Sequence, residues 1–115
     1  MKSKYLELFD NFCAVRVDKD VEKVMTLFTN DAEVREPGVD LRVKNAPREF
    51  VARGASKYED YVVEKLNVFE KEDRIAIEWR NRFKYERKSN DVLGVTVIRV
   101  RDGKIRRMNE YACTL

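Results

Sequence analysis

Phe28-Thr29-Asn30-Asp31-Ala32-Glu33-Val34-Arg35-Glu36-Pro37-Gly38 is the stretch on which the reading of this chain turns. It closes an apolar run at helical spacing (Val21, Val24, Met25, Phe28), passes through polar turn formers, and alternates briefly around Val34. Pro37 lacks a backbone donor and stops further sheet pairing. Glu36 is therefore the last side chain of a strand end. A carboxylate held there against apolar surface is harder to ionise and better suited to take up a proton. The competing reading is a surface glutamate paired with Arg35 or Lys44, because glutamates are mostly exposed.

Upstream of this stretch, residues 3–17 read as a helix whose apolar face carries Tyr5, Leu8, Phe9, Phe12 and Cys13. Asp18-Lys19-Asp20 interrupts it, and either aspartate can cap the next helix, which runs on to Phe28. Downstream, residues 39–45 fit a loop or a short strand. Asn45-Ala46-Pro47-Arg48-Glu49 has the features of a third helix start: a capping Asn, an early proline and an acid in the first turn. Phe50, Val51 and Tyr58 are its expected buried residues.

The second half of the chain changes period. Strands are expected over residues 61–69, 74–86, 92–101 and 104–112, with turns at 70–73 and 88–91 and a two-residue hairpin at Asp102-Gly103. Three helices interrupted by one strand and followed by a four-strand meander predict a single α+β domain over residues 1–115. Its three N-terminal helices pack on one face of a curved, mostly antiparallel sheet.

Composition narrows the chemistry. Of 115 residues 43% are hydrophobic and 39% charged, yet 24 Lys+Arg against 21 Asp+Glu leave a net charge of only +3. The two signs are interleaved rather than segregated, which argues against a nucleic-acid partner. There is no histidine. That absence removes His-based metal sites, Ser-His and Cys-His nucleophiles and every His acid/base mechanism. Cys13 and Cys113 form no metal or disulfide pattern, and Cys13 reads as a buried thiol. No metal and no cofactor are expected. Met1-Lys2-Ser3-Lys4-Tyr5 has no apolar core, and no segment approaches the roughly 20 apolar residues of a membrane span. The expectation is a cytoplasmic protein with no membrane partner.

Within 74–86 one row carries Ile75, Ile77, Trp79, Asn81, Phe83 and Tyr85, and the other Ala76, Glu78, Arg80, Arg82, Lys84 and Glu86. The first row is expected to face the helices, with Trp79 as core or ligand platform and Asn81 as a buried amide in need of partners. The opposite choice would bury a charged cavity. An unbroken hairpin about Asp102-Gly103 pairs Val100 with Ile105, Val97 with Met108 and Val95 with Glu110. That register puts one glutamate among valines and a methionine, as in a pocket, or at a solvated strand end beside Arg99 or Arg80.

The element order, Phe28-Thr29-Asn30-Asp31-Ala32-Glu33-Val34, and the hairpin Val100-Arg101-Asp102-Gly103-Lys104-Ile105 followed by Asn109-Glu110-Tyr111 resemble the nuclear transport factor two-like superfamily. The likeness is to its SnoaL-like, ketosteroid-isomerase-like branch and spans essentially the whole chain. It implies a cone-shaped, cystatin-like α+β barrel with a strongly curved sheet around a small-molecule pocket, often a homodimer packed through the sheet. Asp31-Ala32-Glu33-Val34-Arg35-Glu36-Pro37 matches the passage that carries the base of ketosteroid isomerases, which implies Glu36 as base. The isomerases' tyrosine donor falls at Phe12, and their protonated acid at Val95 or, with a bulge, at Thr96. Both departures remove donors to an enolate oxygen. Glu110 matches an acid of the epoxide-hydrolase and polyketide-cyclase branches. Their Arg-x-Asp is not reproduced by Glu78-Trp79-Arg80-Asn81, and the dehydratase branch requires histidine.

The expectation is then a small, largely apolar ligand in a cone. Glu36 and Glu110 are the catalytic candidates, and Phe12, Tyr58, Trp79, Asn81, Val95, Val97 and Met108 the substrate-binding ones. Isomerase, cyclase or hydrolase chemistry stands against a non-catalytic binding or dimerisation module, since this fold hosts all of them.

Overall fold

Alternation with a period of two governs the second half of the chain, and the sheet follows from it. The computed structural model describes residues 4–17, 20–36, 39–41, 48–49 and 59–115. The elements in chain order are α1 (Lys4–Val17), α2 (Val21–Met25), β1 (Phe28–Glu36), β2 (Val39–Leu41), β3 (Glu59–Lys71), β4 (Arg74–Tyr85), β5 (Lys88–Arg101) and β6 (Lys104–Thr114). The six strands form one sheet in the order β2-β1-β6-β5-β4-β3. Every neighbouring pair is antiparallel except β1 and β6, which run parallel. The expected α+β architecture with a mostly antiparallel sheet is what the chain forms.

Helix α1 turns Leu8, Phe9 and Phe12 inward, and Phe12 meets Phe28 edge to face at 6.1 Å between ring centroids. The second helix is shorter than its spacing suggests. Asp20 caps it, its side chain accepting the Lys23 backbone N–H at 3.1 Å, and Val24 is fully buried. The chain leaves the helix at Thr26 because the Leu27 carbonyl is taken by the Ile105 N–H of β6 at 2.8 Å. Phe28 is thus buried as the first residue of a strand rather than the last of a helix. Of the third helix, Arg48 and Glu49 are helical, and Arg48 Nη2 donates to Glu22 Oε2 of α2 at 3.0 Å. Asn45, Pro47, Phe50, Val51 and Tyr58 lie outside the described residues, as do Pro37 and Gly38.

The row Ile75, Ile77, Trp79 and Asn81 is buried and faces the helices, while Glu78, Arg80 and Arg82 face outward. The same inner face receives Ile98 and Val100 from β5 and Ile105 and Met108 from β6. Among the described residues no helix is long and apolar enough to cross a membrane.

The hairpins differ from expectation in detail: the β3–β4 turn is only Glu72-Asp73, since Glu70 and Lys71 pair with Ile75 and Arg74. The β4–β5 turn is the pair Glu86-Arg87, at φ 51° and 67°, not the polar run 88–91. Lys88 to Asp91 extend β5 instead, opposite Tyr85 to Arg82, because pairing with a long partner strand overrides their turn-like composition. The β5–β6 turn is Asp102-Gly103 as expected, at φ 53° and 76°. Beyond Val100 and Ile105, however, the register slips by one residue at Arg106. Ile98 then opposes Met108, Thr96 opposes Glu110, and Val95 opposes Tyr111.

Candidate functional site

That one-residue bulge decides which side chains meet inside the cone. Residues directly opposite share a face, and a slip of one exchanges faces. Thr96 therefore joins Glu110 on the inner face. Val95 opposes Glu78 and Tyr111, and Val97 opposes Ala76 and Asn109, so both valines belong to the outer face. The placement of Val95 and Val97 beside Glu110 is corrected accordingly. A hairpin turn shows in a sequence; a bulge three residues past it shows only once three strands are in register.

The cavity under α1 is lined by Phe9, Phe12, Cys13, Tyr61, Val63, Trp79, Asn81, Thr96 and Glu110. The structure thus brings together four of the expected residues: Phe12, Trp79, Asn81 and Glu110. It adds Tyr61, Thr96, Cys13, Phe9 and Val63. Tyr61 and Thr96 had signals in the sequence: Tyr61 begins the strand that pairs with Asn81, and Thr96 is where a bulge would place the isomerases' acid. Met108 is fully buried on the inner face opposite Ile98, inside the core and not on the cavity wall. Glu36 is half-buried and shares the inner face with Val34, two residues before it in β1, but is not among the lining residues. Tyr58 lies outside the described residues.

Each polar group is held by its neighbours. Trp79 lies across Gly94, its cross-strand partner, and a Cβ at position 94 would overlap the indole. The ring is thereby set so that Nε1–H donates to the Thr96 hydroxyl at 2.7 Å, a bond wholly inside the protein. Asn81 is only 7% exposed, and its Nδ2 donates to the Tyr61 hydroxyl. Tyr61 in turn stacks on Phe83 at 5.8 Å. Asn81 Oδ1 is buried, and no described donor reaches it. A buried carbonyl oxygen without a donor costs roughly 1–3 kcal/mol, so a hydrogen-bond donor placed in the cavity would be bound there.

The free space for the centre of a water-sized molecule is about 10 Å³, on the order of what one water needs. Among the described residues no lysine or arginine lines the cavity, and no group of three or more His, Cys, Asp or Glu is placed to hold a metal ion. One carboxylate, one amide, one phenol, one hydroxyl and one thiol thus stand among aromatic and aliphatic walls. Of the positions that the resemblance to ketosteroid isomerases gives to donors, Phe12 offers none, whereas Thr96 accepts from Trp79 through its oxygen in a bond that does not use its own hydroxyl proton.

A family model described as SnoaL-like domain matches residues 9–108. The chain belongs to that family. The SnoaL-like domain also resembles many solved structures in fold. A putative isomerase from Rhodopseudomonas palustris superposes with a TM-score of 0.84 at 14% identity, covering 99% of this chain and 92% of that one. A putative isomerase from Bacillus subtilis gives 0.83 at 20%, covering 96% and 86%. An epoxide hydrolase of the LEH-like type from M. tuberculosis gives 0.79 at 14%, covering 96% and 83%. At these identities the likeness is one of fold. No functionally curated protein matches this sequence.

Proposed function

We propose that this SnoaL-like domain binds a small, largely apolar molecule in its cone and uses Glu110 as the proton acceptor of an acid/base reaction. The observation that carries the reading is the convergence of Glu110, Asn81 and Tyr61 on one cavity with apolar walls. Water activation fits this site better than isomerisation. A water donating one proton to Asn81 Oδ1 and the other toward Glu110 has the two to four polar partners that a buried water needs. As that water attacks an electrophilic carbon, its proton passes to Glu110. Glu110 then returns the proton to the oxygen released from that carbon, so the carboxylate is regenerated. Glu36, half-buried on the same sheet face, is assigned as the second carboxylate, nearer the end of β1.

The test is turnover of a panel of small epoxides and ketones, read by oxygen-18 incorporation and by deuterium exchange next to the carbonyl. Glu110→Gln is expected to lower any turnover by about a hundredfold or more, with ligand binding weakened far less than turnover. Turnover unchanged in Glu110→Gln would remove the residue from the mechanism.

A second reading, a non-catalytic binding module, is favoured by Phe12, which offers no donor to a developing oxyanion. It predicts ligand binding with no turnover in the wild type. The outer face supports a homodimer packed through the sheet: Tyr111 is 53% and Phe69 68% exposed, beside Val95 and Val97 respectively. Light scattering of wild type and Tyr111→Glu checks this, since a monomeric wild type would contradict it.

A further inference from the structure

The outer face carries a second feature that the cone does not use. Lys71, Arg74, Arg99 and Arg107 stand in direct register across four adjacent strands: Lys71 opposes Arg74, Arg74 opposes Arg99, and Arg99 opposes Arg107. Like charges placed directly opposite destabilise a sheet. Four cations in one line are therefore a standing cost unless something of opposite charge lies over them.

The protein itself supplies part of that charge. Asp73 accepts from Arg99 Nε at 3.2 Å and lies 3.8 Å from Arg74; Glu33 accepts from Arg107 at 2.9 Å. Asp31 takes Arg101 and lies 3.4 Å from Arg106. The hydrogen bond from Arg101 is the main cause of an Asp31 carboxyl held below its ordinary range. Among the described residues three carboxylates thus serve five arginines, and Arg106 Nη1 is buried with no hydrogen-bond partner, Glu33 Oε1 lying 4.0 Å away. The bulge that sets the inner register is also what inserts Arg106 here, between Ile105 and Arg107.

Arg99, Arg101, Arg106 and Arg107 border a polar cleft of about 250 Å³ with Asp73 at its edge. We infer that this cleft binds a small polyvalent oxyanion, of the diphosphate or phosphate-ester class. Guanidinium groups match oxyanions with paired, planar donors, and several converging on one ligand discriminate by charge as well as geometry. The acids mark the limits of the patch. Glu33 ends the row on β1, and Asp73 and Asp31 flank it, so a continuing nucleic-acid backbone would meet carboxylates on leaving the cleft. The observations favour a compact anion over a polymer. This site is independent of Glu110 and of the chemistry in the cone.

The experiment is calorimetric titration of the intact protein with pyrophosphate and with inorganic phosphate at low ionic strength. Sodium chloride of matched ionic strength serves as the control, with a single-stranded 20-nucleotide DNA in parallel. Pyrophosphate is expected to bind saturably and at least tenfold more tightly than phosphate. Arg99→Ser and Arg107→Ser are each expected to weaken it tenfold or more while changing the melting temperature of the ligand-free protein little, since each removes a like-charge contact together with one half-exposed ion pair. Binding of pyrophosphate that matched salt reproduces, or that both variants retain, would overturn the site. So would DNA binding that pyrophosphate does not displace, which would assign the row to a nucleic acid instead.

Discussion

The two faces of this sheet are written by the same strands and obey opposite rules. On the inner face Ile75, Ile77, Trp79, Ile98 and Met108 are sealed from water, and the few polar groups among them are held in specific bonds: Trp79 to Thr96, Asn81 to Tyr61. On the outer face charged groups dominate, paired and half-exposed, as in Arg80 with Asp91 and Arg107 with Glu33. A polar group costs little in water and much in a core, so inner polar residues are few and outer ones many. The exceptions then carry information. Inside, they are Asn81 and Glu110; outside, they are the arginine row and the exposed Phe69 and Tyr111.

The contrast has measurable consequences, the largest on the inner face. Trp79→Ala is expected to cost about 3–5 kcal/mol in denaturant unfolding, whereas Arg82→Ser, three residues along the same strand and outward, should stay within about 0.5 kcal/mol. Equal effects would break the division between faces. Gly94→Val drives a side chain into the indole and toward the Tyr111 carbonyl. Its expected cost is about 1–3 kcal/mol, together with a changed indole fluorescence. A silent Gly94→Val would mean that Trp79 does not lie across β5.

Smaller effects belong to the turns and the outer charges. Glu86 and Arg87 both adopt positive φ, a region that asparagine and glycine occupy at less cost. Replacing the pair by Glu86→Asn and Arg87→Gly should raise stability by about 1 kcal/mol. A fall would place the turn elsewhere, in the run 88–91.

The smallest effect is that of Asp91. The hydrogen bond from Arg80 is the main cause of an Asp91 carboxyl held below its ordinary range. A carboxyl whose pKa is lower in the folded chain than in the unfolded one adds stability above the unfolded value, near 3.9. That stability is lost as pH falls through the lower folded value. Asp91→Asn should therefore lower the melting temperature slightly at pH 7, and by progressively less as pH drops below about 4. A difference that persists at pH 2 would contradict the assignment.

Much of the fold was legible because hydrophobic spacing reports burial directly. The alternation from Arg74 onward fixed which row faces the helices, and Asp102-Gly103 fixed the last hairpin. The site was legible in part. Phe12, Trp79, Asn81 and Glu110 were each readable as inward residues, and they meet. Val95 and Val97 were misplaced because a bulge depends on three strands at once and leaves no local mark. Phe28 was assigned to a helix because its spacing suits one, and the bond between Leu27 and Ile105 that pulls it into β1 joins residues far apart in sequence.

The central claim is that ligands enter the inner cavity and are held by Asn81 and Glu110. The most direct test follows the Trp79 indole N–H and the Asn81 side-chain amide by proton–nitrogen NMR while small polar-headed apolar fragments are added. Fragments that bind are expected to move both signals together, and Glu110→Gln should weaken the response without altering the fold. Bound fragments that leave both signals in place while shifting only outer-face residues such as Tyr111 would contradict it.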